Sequence, residues 1–193
     1  MFRAVLVLAL TATFAGCALS PQVIDVKPVA DVDATNIGRN QPVQVLAVDS
    51  REQEAFGIRG GVYKDTALVR PANDVKSAIE DAVKKGLQTQ GFNAFNPDDD
   101  ATRLEVRLEQ LDYVPEEGSV INQVTLTLTL LAEASRGDVI HTGTYKSSVE
   151  HDLPLTPSAS RNQQMVNDIL SGAINRLLKD PEMLSFLAGN DTP

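Results

Sequence analysis

The stretch VTLTLTLLA, residues 124–132, decides the fold of this chain. Valine, leucine and alanine occupy its even positions, and threonine occupies positions 125, 127 and 129. Alternation with a period of two is typical of a strand with one buried and one exposed face. Arg136-Gly137-Asp138 follows as a turn and residues 139–150 return, so the sequence predicts a long antiparallel β-hairpin.

Further strands are indicated upstream of this hairpin. Leu104, Val106 and Leu108 alternate with charged residues, and the pattern shifts at Gln110, which predicts a β-bulge. Residues 43–48 are apolar at nearly every position, which predicts a strand buried on both faces. Between these regions, residues 56–63 and 66–70 are typical of a loose hairpin.

Two segments predict amphipathic helices. The first has Asn73 as its N-cap and ends at Gly91. The second begins near Ser158 or Ser160 and is broken before Pro181, where a short final helix starts. Their apolar stripes consist of Val75, Ala78, Ile79, Ala82, Val83 and Leu87 in the first helix, and Met165, Val166, Ile169, Leu170, Ala173, Ile174, Leu177 and Leu178 in the second.

These elements predict an α+β fold, a two-layer sandwich of a mainly antiparallel sheet with two amphipathic helices packed on one face. We expect a single domain over residues 42–189 and a tail over residues 190–193. The other sheet face, rich in threonine and charge, is expected to meet solvent or a partner.

The N-terminus has the pattern of an export signal. A positive start at Arg3 is followed by an apolar run, residues 4–12, that is far shorter than the ~20 residues of a spanning helix. Thr13-Phe14-Ala15-Gly16-Cys17 then places the only cysteine at a small-residue cleavage site. We therefore predict that residues 1–16 are a lipoprotein signal peptide, cut between Gly16 and Cys17, and that Cys17 carries lipid. An ordinary signal peptide with a cysteine near the cut is the alternative.

The residues around Cys17 refine this prediction. Phe14 departs from the leucine that bacterial lipoproteins most often have there, whereas Ala18 resembles the outer-membrane default. Residues 17–41, with Pro21 and Pro28, are predicted to hold the lipidated cysteine and a tether. The sequence leaves open whether part of that tether packs on the domain.

Composition excludes several classes of partner. The chain has 17 basic and 26 acidic residues, a net charge of −9, and loss of Arg3 with the signal makes it −10. An acidic surface argues against nucleic acid or anionic lipid headgroups as the main partner. Tryptophan is absent and aromatic residues make up 5% of the chain, so a carbohydrate-stacking platform is not expected.

The sequence does not predict a catalytic or metal site. His141 and His151 lie ten residues apart on one strand, about 33 Å, so they cannot share a metal. Asp98–Asp100 lacks the central glycine of a calcium loop, and Gly57–Gly61 lacks the lysine of a phosphate loop. Asp49-Ser50-Arg51 is predicted to hold a structural ion pair or capping bond. We expect no catalytic residue, cofactor or metal, although a triad through His141 stays open.

Several of these segments together resemble the YajG-type family of bacterial lipoproteins. The resemblance covers nearly the whole chain and rests on Ala15-Gly16-Cys17, the strand 43–48 with the Asp-Ser-Arg after it, Gln90-Gly91-Phe92, Val106–Leu111, and the Thr-rich strand with the last long helix. It implies a lipid-anchored periplasmic domain, on the outer membrane of a Gram-negative bacterium. It brings no active site.

Three functions follow as hypotheses. The first is a non-catalytic binding or interaction module that assists a cell-envelope process, held to the membrane by its lipid and contacting an envelope protein. The second is a carrier of a small apolar ligand between helices and sheet. The third is an envelope hydrolase using His141 or a carboxylate pair. The sequence leaves the oligomeric state open.

Overall fold

A computed structural model describes residues 20–60, 66–98, 100–116 and 122–190. The predicted signal peptide, Gly16, Cys17, Asp99 and most of the predicted tail lie outside these ranges. The elements are β1 Gln22–Ile24, β2 Val43–Asp49, β3 Gly57–Ile58, β4 Leu68–Pro71, α1 Val75–Thr89, β5 Thr102–Glu116, β6 Asn122–Arg136, β7 Val139–Leu153, α2 Ala159–Leu178 and α3 Pro181–Leu187.

The seven described strands form one mixed sheet. Three 15-residue strands, β5, β6 and β7, make an antiparallel meander. The other edge of β5 pairs in parallel with β2 over Thr102–Leu108 and with β3 at Tyr113. Beyond β3 lie β4, antiparallel to it, and then β1, parallel to β4. The predicted α+β fold with a mostly antiparallel sheet is confirmed.

The hairpin predicted from residues 124–150 is confirmed. β6 pairs with β7 without interruption from Arg136 opposite Val139 to Asn122 opposite Leu153. The bulge predicted at Gln110 is also present, because the register of β5 against β6 shifts between Leu108 and Gln110. The even positions of β6 from 124 to 134 are buried, as the alternation requires.

The prediction for β2 was wrong in one respect. Val43 and Val45 are buried, but Gln44 is exposed and residues 46–49 are only half-buried. The reason is the strand's position. β2 carries α1 on one face, and its other face belongs to the uncovered side of the sheet, so its alternate apolar residues keep partial contact with solvent.

Helix boundaries follow local chemistry. The N-cap of α1 is Asp74 rather than the predicted Asn73: its carboxylate accepts from the Lys76 N–H at 3.0 Å. Gly91 follows the C-cap with φ of +89°, a left-handed conformation that glycine adopts without strain. Ser158 caps α2 as predicted, and Asp180 caps α3 directly before Pro181.

The three helices cover one face of the sheet. Their apolar stripes join the inward residues of the sheet strands in one buried cluster. The largest side chains in it that are almost fully buried are Tyr113, Phe56, Ile24, Ile79, Leu87, Leu104, Leu108, Leu111, Leu126, Leu128, Leu130 and Met165. Within the described residues no helix lies on the opposite face, in agreement with the predicted two-layer arrangement.

Part of the predicted tether is packed on the domain. Residues 22–31, called here the N-terminal segment, form β1 and then run in extended form beside α2. Residues 22, 24, 26 and 28 are buried, and those between them are exposed or half-buried. Val26 is held by Asn73, whose side-chain oxygen accepts from the Val26 N–H at 2.8 Å while its amide donates to the Val26 carbonyl at 3.0 Å.

A regular set of hydrogen bonds fixes this segment on α2. The N–H groups of Asp25, Lys27, Val29 and Asp31 donate in turn to side-chain oxygens of Gln163, Asn167, Ser171 and Asn175, at 2.7–3.0 Å. Two residues of extended chain advance about 6.6 Å and four residues of helix about 6.0 Å, so the two repeats match. We call this set of four contacts the polar ladder.

Candidate functional site

The two histidines lie far apart on the helix-facing side of β7. His141 stacks on Phe186 of α3, with ring centroids 5.8 Å apart. His151 sits beside α2, where burial, and then the charge of Arg161, lower its pKa. Each ring therefore packs against a different helix, and the structure does not bring the two together.

Metal ligands are not gathered in the part of the chain that the structure describes. Within residues 20–60, 66–98, 100–116 and 122–190, no group of three or more His, Cys, Asp or Glu side chains is arranged to hold a metal ion. The Asp98–Asp100 turn is described only in part.

The ion pair predicted at the end of β2 is present. Arg51 donates to both carboxylate oxygens of Asp49, at 2.9 and 2.7 Å, and its guanidinium lies 4.7 Å from the centroid of the Phe56 ring. The Arg51 side chain is only 6% exposed. Because its charge is matched and its plane is stacked on a ring, this residue stabilises the loop between β2 and β3.

Several surface depressions have the size of a small-molecule site, and two are described here. One, about 580 Å³, lies between the loop after Arg51 and the end of β5 around Tyr113. The other, about 610 Å³, is lined mainly by polar groups of the loops at the C-terminal end of α1, including Asn36, Asn93 and Asn96. Both depressions open to solvent. Among the described residues that line them, only Tyr113 has a shifted pKa.

A buried polar chain joins β5, α2 and β1. The Tyr113 hydroxyl donates to the Asn162 side-chain oxygen at 3.0 Å, and the Asn162 amide donates to Gln22 at 2.5 Å. Gln22 in turn donates to the Pro157 carbonyl at 3.3 Å. Asn162 is completely buried, and burial raises the pKa of Tyr113 to about 12. This chain fixes the start of the N-terminal segment against the core.

The uncovered face of the sheet is polar and carries paired charge. Glu105 of β5 accepts from Arg103 at 3.2 Å and also from Arg107. The threonines of β6 and the even residues of β7 continue this face toward the sheet edge. Glu105 is only 19% exposed, so these pairs are partly buried and hold the charges of this face in place.

The outer edge of β7 is the most distinctive surface. Within the described residues, β7 pairs with β6 alone and ends the sheet. In a hairpin with a two-residue loop, the residues flanking the loop form a hydrogen-bonded pair. Here these are Arg136 and Val139, and the register is unbroken. Odd residues of β7 therefore bond to β6, while the backbone groups of even residues from Ile140 to Asp152 point outward.

The chain matches one protein family over most of its length. The model of the family Lipoprotein_16, described as uncharacterized lipoprotein, matches residues 28–188. The chain belongs to this family. The YajG-type resemblance drawn from the sequence is thereby confirmed, and so is the expectation of a lipoprotein. Among the described residues of this family member, no helix combines the length and apolar character needed to cross a bilayer.

Among the similar solved structures, the first two described here share the fold at low sequence identity. Protein XCC0632 from Xanthomonas campestris is 12% identical, with a TM-score of 0.52, over 86% of this chain and 99% of its own. An uncharacterized protein of known structure is 6% identical, with a TM-score of 0.56, over 84% and 99%. The rare lipoprotein B from Shewanella oneidensis aligns with a TM-score of 0.42 at 12% identity, over 76% and 98%. No curated protein sequence matches the chain.

The polar ladder and the buried polar chain were not predicted from the sequence. A signal for the ladder exists, since Gln163, Asn167, Ser171 and Asn175 recur every four residues beside the apolar stripe of α2. Asn162 gives a second signal, because it precedes Val166 by one turn on the buried face. A polar residue at such a position requires a hydrogen-bond partner.

Proposed function

We propose that this lipoprotein is anchored through lipid on Cys17 to the periplasmic face of the outer membrane and acts there as a non-catalytic interaction module in a cell-envelope process. The family description supports the lipoprotein assignment. The sequence Ala15-Gly16-Cys17 followed by Ala18 supports the position of the anchor and the choice of membrane. The Cys17 thiol would carry the lipid as a thioether, and cleavage before Cys17 would free its amino group.

The observation that carries the interaction role is the outer edge of β7. A 15-residue edge strand presents a row of N–H and C=O groups that another extended chain can pair with. The outward backbone groups belong to Ile140 and to the alternate residues up to Asp152. No proline interrupts the strand, so the row is continuous.

The side chains beside this edge favour a protein partner. Thr142, Thr144, Lys146 and Ser148 lie on the uncovered face with the outward backbone groups. Short hydroxyl side chains leave room for a neighbouring strand, and Lys146 followed by Glu150 offers one charge of each sign. An added strand would continue the uncovered face of the sheet, and backbone pairing would supply most of the affinity.

Photo-crosslinking in intact Gram-negative cells tests this function. A benzophenone amino acid at Lys146 is expected to give one reproducible adduct with an envelope protein. Ser148→Pro removes an outward N–H and should abolish the adduct, whereas Ser148→Ala should retain it. The same probe at Lys179, the exposed C-cap of α2, is the control position and should give no such adduct.

Two results would contradict the proposal. An adduct that persists in Ser148→Pro would show that the edge is not the contact. An adduct of twice the chain's own mass would assign the edge to a second copy of this chain and remove the envelope partner. Intact-mass measurement of the same preparations reports the anchor separately, because a Cys17→Ser chain should lack the added lipid mass.

A further inference from the structure

Ser20, the first residue that the structure describes, is held on the domain. The Ser20 carbonyl accepts from the Arg59 guanidinium at 2.8 Å, and β1 begins two residues later at Gln22. Only Ala18 and Leu19 separate Cys17 from Ser20. Three residues of fully extended chain reach at most about 11 Å. A lipid on Cys17 would therefore hold this end of the domain at the membrane surface, in place of the long reach expected of a tether.

The same end of the domain exposes apolar side chains. Leu155, in the loop between β7 and α2, is 77% exposed, and Val23 of β1 is 61% exposed. Leu155 lies two residues before Pro157, whose carbonyl accepts from Gln22. The loop that carries Leu155 is thus in contact with β1 two residues after Ser20.

We propose that this end of the domain rests on the phospholipid surface, with Leu155 inserted at the boundary of headgroups and acyl chains. The inference rests on the proposed lipidation of Cys17. One exposed leucine binds a bilayer weakly by itself. An anchor within about 11 Å of Ser20 keeps this end of the domain close to the bilayer, so a weak contact suffices. Because the mature chain has a net charge of −10, apolar contact rather than charge attraction must supply the adhesion.

The proposal fixes the orientation of the domain. Leu153, the last residue of β7, would lie near the membrane, and Val139 at the other end of the strand is 14 residues away, about 46 Å along the chain. The outer edge of β7 would then rise from the membrane surface into the periplasm.

Because the chain contains no tryptophan, a single introduced tryptophan reports its own surroundings by its indole fluorescence. The full lipidated chain carrying Leu155→Trp is reconstituted in vesicles of phosphatidylethanolamine and phosphatidylglycerol in equal parts, with brominated acyl chains as quenchers. The matched control is Ile140→Trp, a position 59% exposed at the opposite end of β7. We expect the indole at position 155 to be blue-shifted and quenched several-fold more strongly than the indole at position 140. The Leu155→Trp chain with Cys17→Ser should show neither change.

Flotation and intact mass separate the possible failures. A chain that carries lipid and floats with the vesicles, but shows equal quenching at the two positions, would overturn this inference and leave the anchor standing. A chain without lipid mass that stays off the vesicles would overturn the anchor and the orientation together.

Discussion

The two edges of the sheet differ in what contacts the backbone groups beside them. At the β1 edge, the chain continues as the N-terminal segment, whose N–H groups are taken up by the side chains of α2. At the β7 edge, no described strand covers the outward backbone groups of a strand five times as long as β1. The ladder donors lie just beyond β1, so the comparison shows that helix side chains can take up backbone donors that would otherwise need a partner strand. In this sense the β1 side is a closed edge and, among the described residues, the β7 side is an open edge.

The closed edge depends on side chains of a single helix. Gln163, Asn167, Ser171 and Asn175 sit between the buried and the exposed stripes of α2, where each remains half-buried. There they satisfy backbone donors without interrupting the apolar stripe. Breaking the closed edge should therefore reduce stability, whereas blocking the open edge should change binding.

The largest effect is expected from Asn162→Leu. This change leaves the Tyr113 hydroxyl and the Gln22 side chain without their buried partner. Each orphaned group costs about 1–3 kcal/mol, so we expect unfolding to become easier by about 3 kcal/mol. Urea unfolding followed by circular dichroism measures the loss. In a double-mutant cycle, Tyr113→Phe should recover part of it, and strict additivity would contradict the proposed chain of contacts.

The next largest effect distinguishes the N–H groups of β7 that bond to β6 from those that point outward. Ser147→Pro removes an N–H that bonds to β6 and should cost about 3 kcal/mol, as proline does inside a regular element. Ser148→Pro removes an outward N–H and should cost less than about 1 kcal/mol. The adjacent serines make a matched pair, measured by urea midpoint. Equal losses would show that the outward and inward groups are assigned wrongly.

A smaller effect is expected in the polar ladder. Asn167 accepts from the Lys27 N–H at 2.7 Å and donates to the Asp25 carbonyl at 2.9 Å. Asn167→Ala removes both bonds and should cost about 1 kcal/mol. Asn175→Ala, which removes the single bond from Asp31, is the control and should cost less. Hydrogen exchange at Lys27 should accelerate in the first variant, and an unchanged rate would argue against the ladder.

The smallest effect appears only at alkaline pH. Burial raises the pKa of Tyr113 to about 12, above the value of 10.0 for the unfolded chain. The folded state therefore keeps a proton that the unfolded state loses, and the stabilisation is complete below about pH 10 and lost toward about pH 12. Burial, with the hydrogen bond to Asp180, also raises the pKa of Tyr145. Urea midpoints from about pH 9 to about pH 11 should fall less steeply in Tyr113→Phe; equal slopes would refute the assignment.

The spacing of the apolar residues and the residues at the helix caps predicted most of the fold. The alternation in β6, the shift at Gln110 and the stripe of α2 each depend on neighbouring residues, so a single sequence shows them. The N-terminal segment behaves differently, because Asp25 and Asn167 meet across more than 140 positions of chain. Val43–Asp49 shows a second limit of prediction from sequence. Its apolar residues predict a strand, but only the position of that strand in the sheet decides which faces are buried.

The candidate surfaces were less predictable still. The sequence named the Thr-rich face and a sheet edge without choosing between them. Which edge is open depends on the pairing of β1 with β4 and on the ladder along α2, both long-range contacts. The lipidation of Cys17, in contrast, is predicted from its immediate neighbours in the sequence. It stays a prediction because Cys17 lies outside the described residues.

The polar ladder has a mechanical consequence. If the domain is anchored through Cys17 as proposed, any force from the membrane acts on it through the residues that precede the N-terminal segment. Because the N-terminal segment lies lengthwise along α2, a pull along that segment acts as shear and loads the four ladder bonds and the β1–β4 pairing at the same time. Contacts loaded side by side share the tension, so the segment resists peeling from the domain one bond at a time.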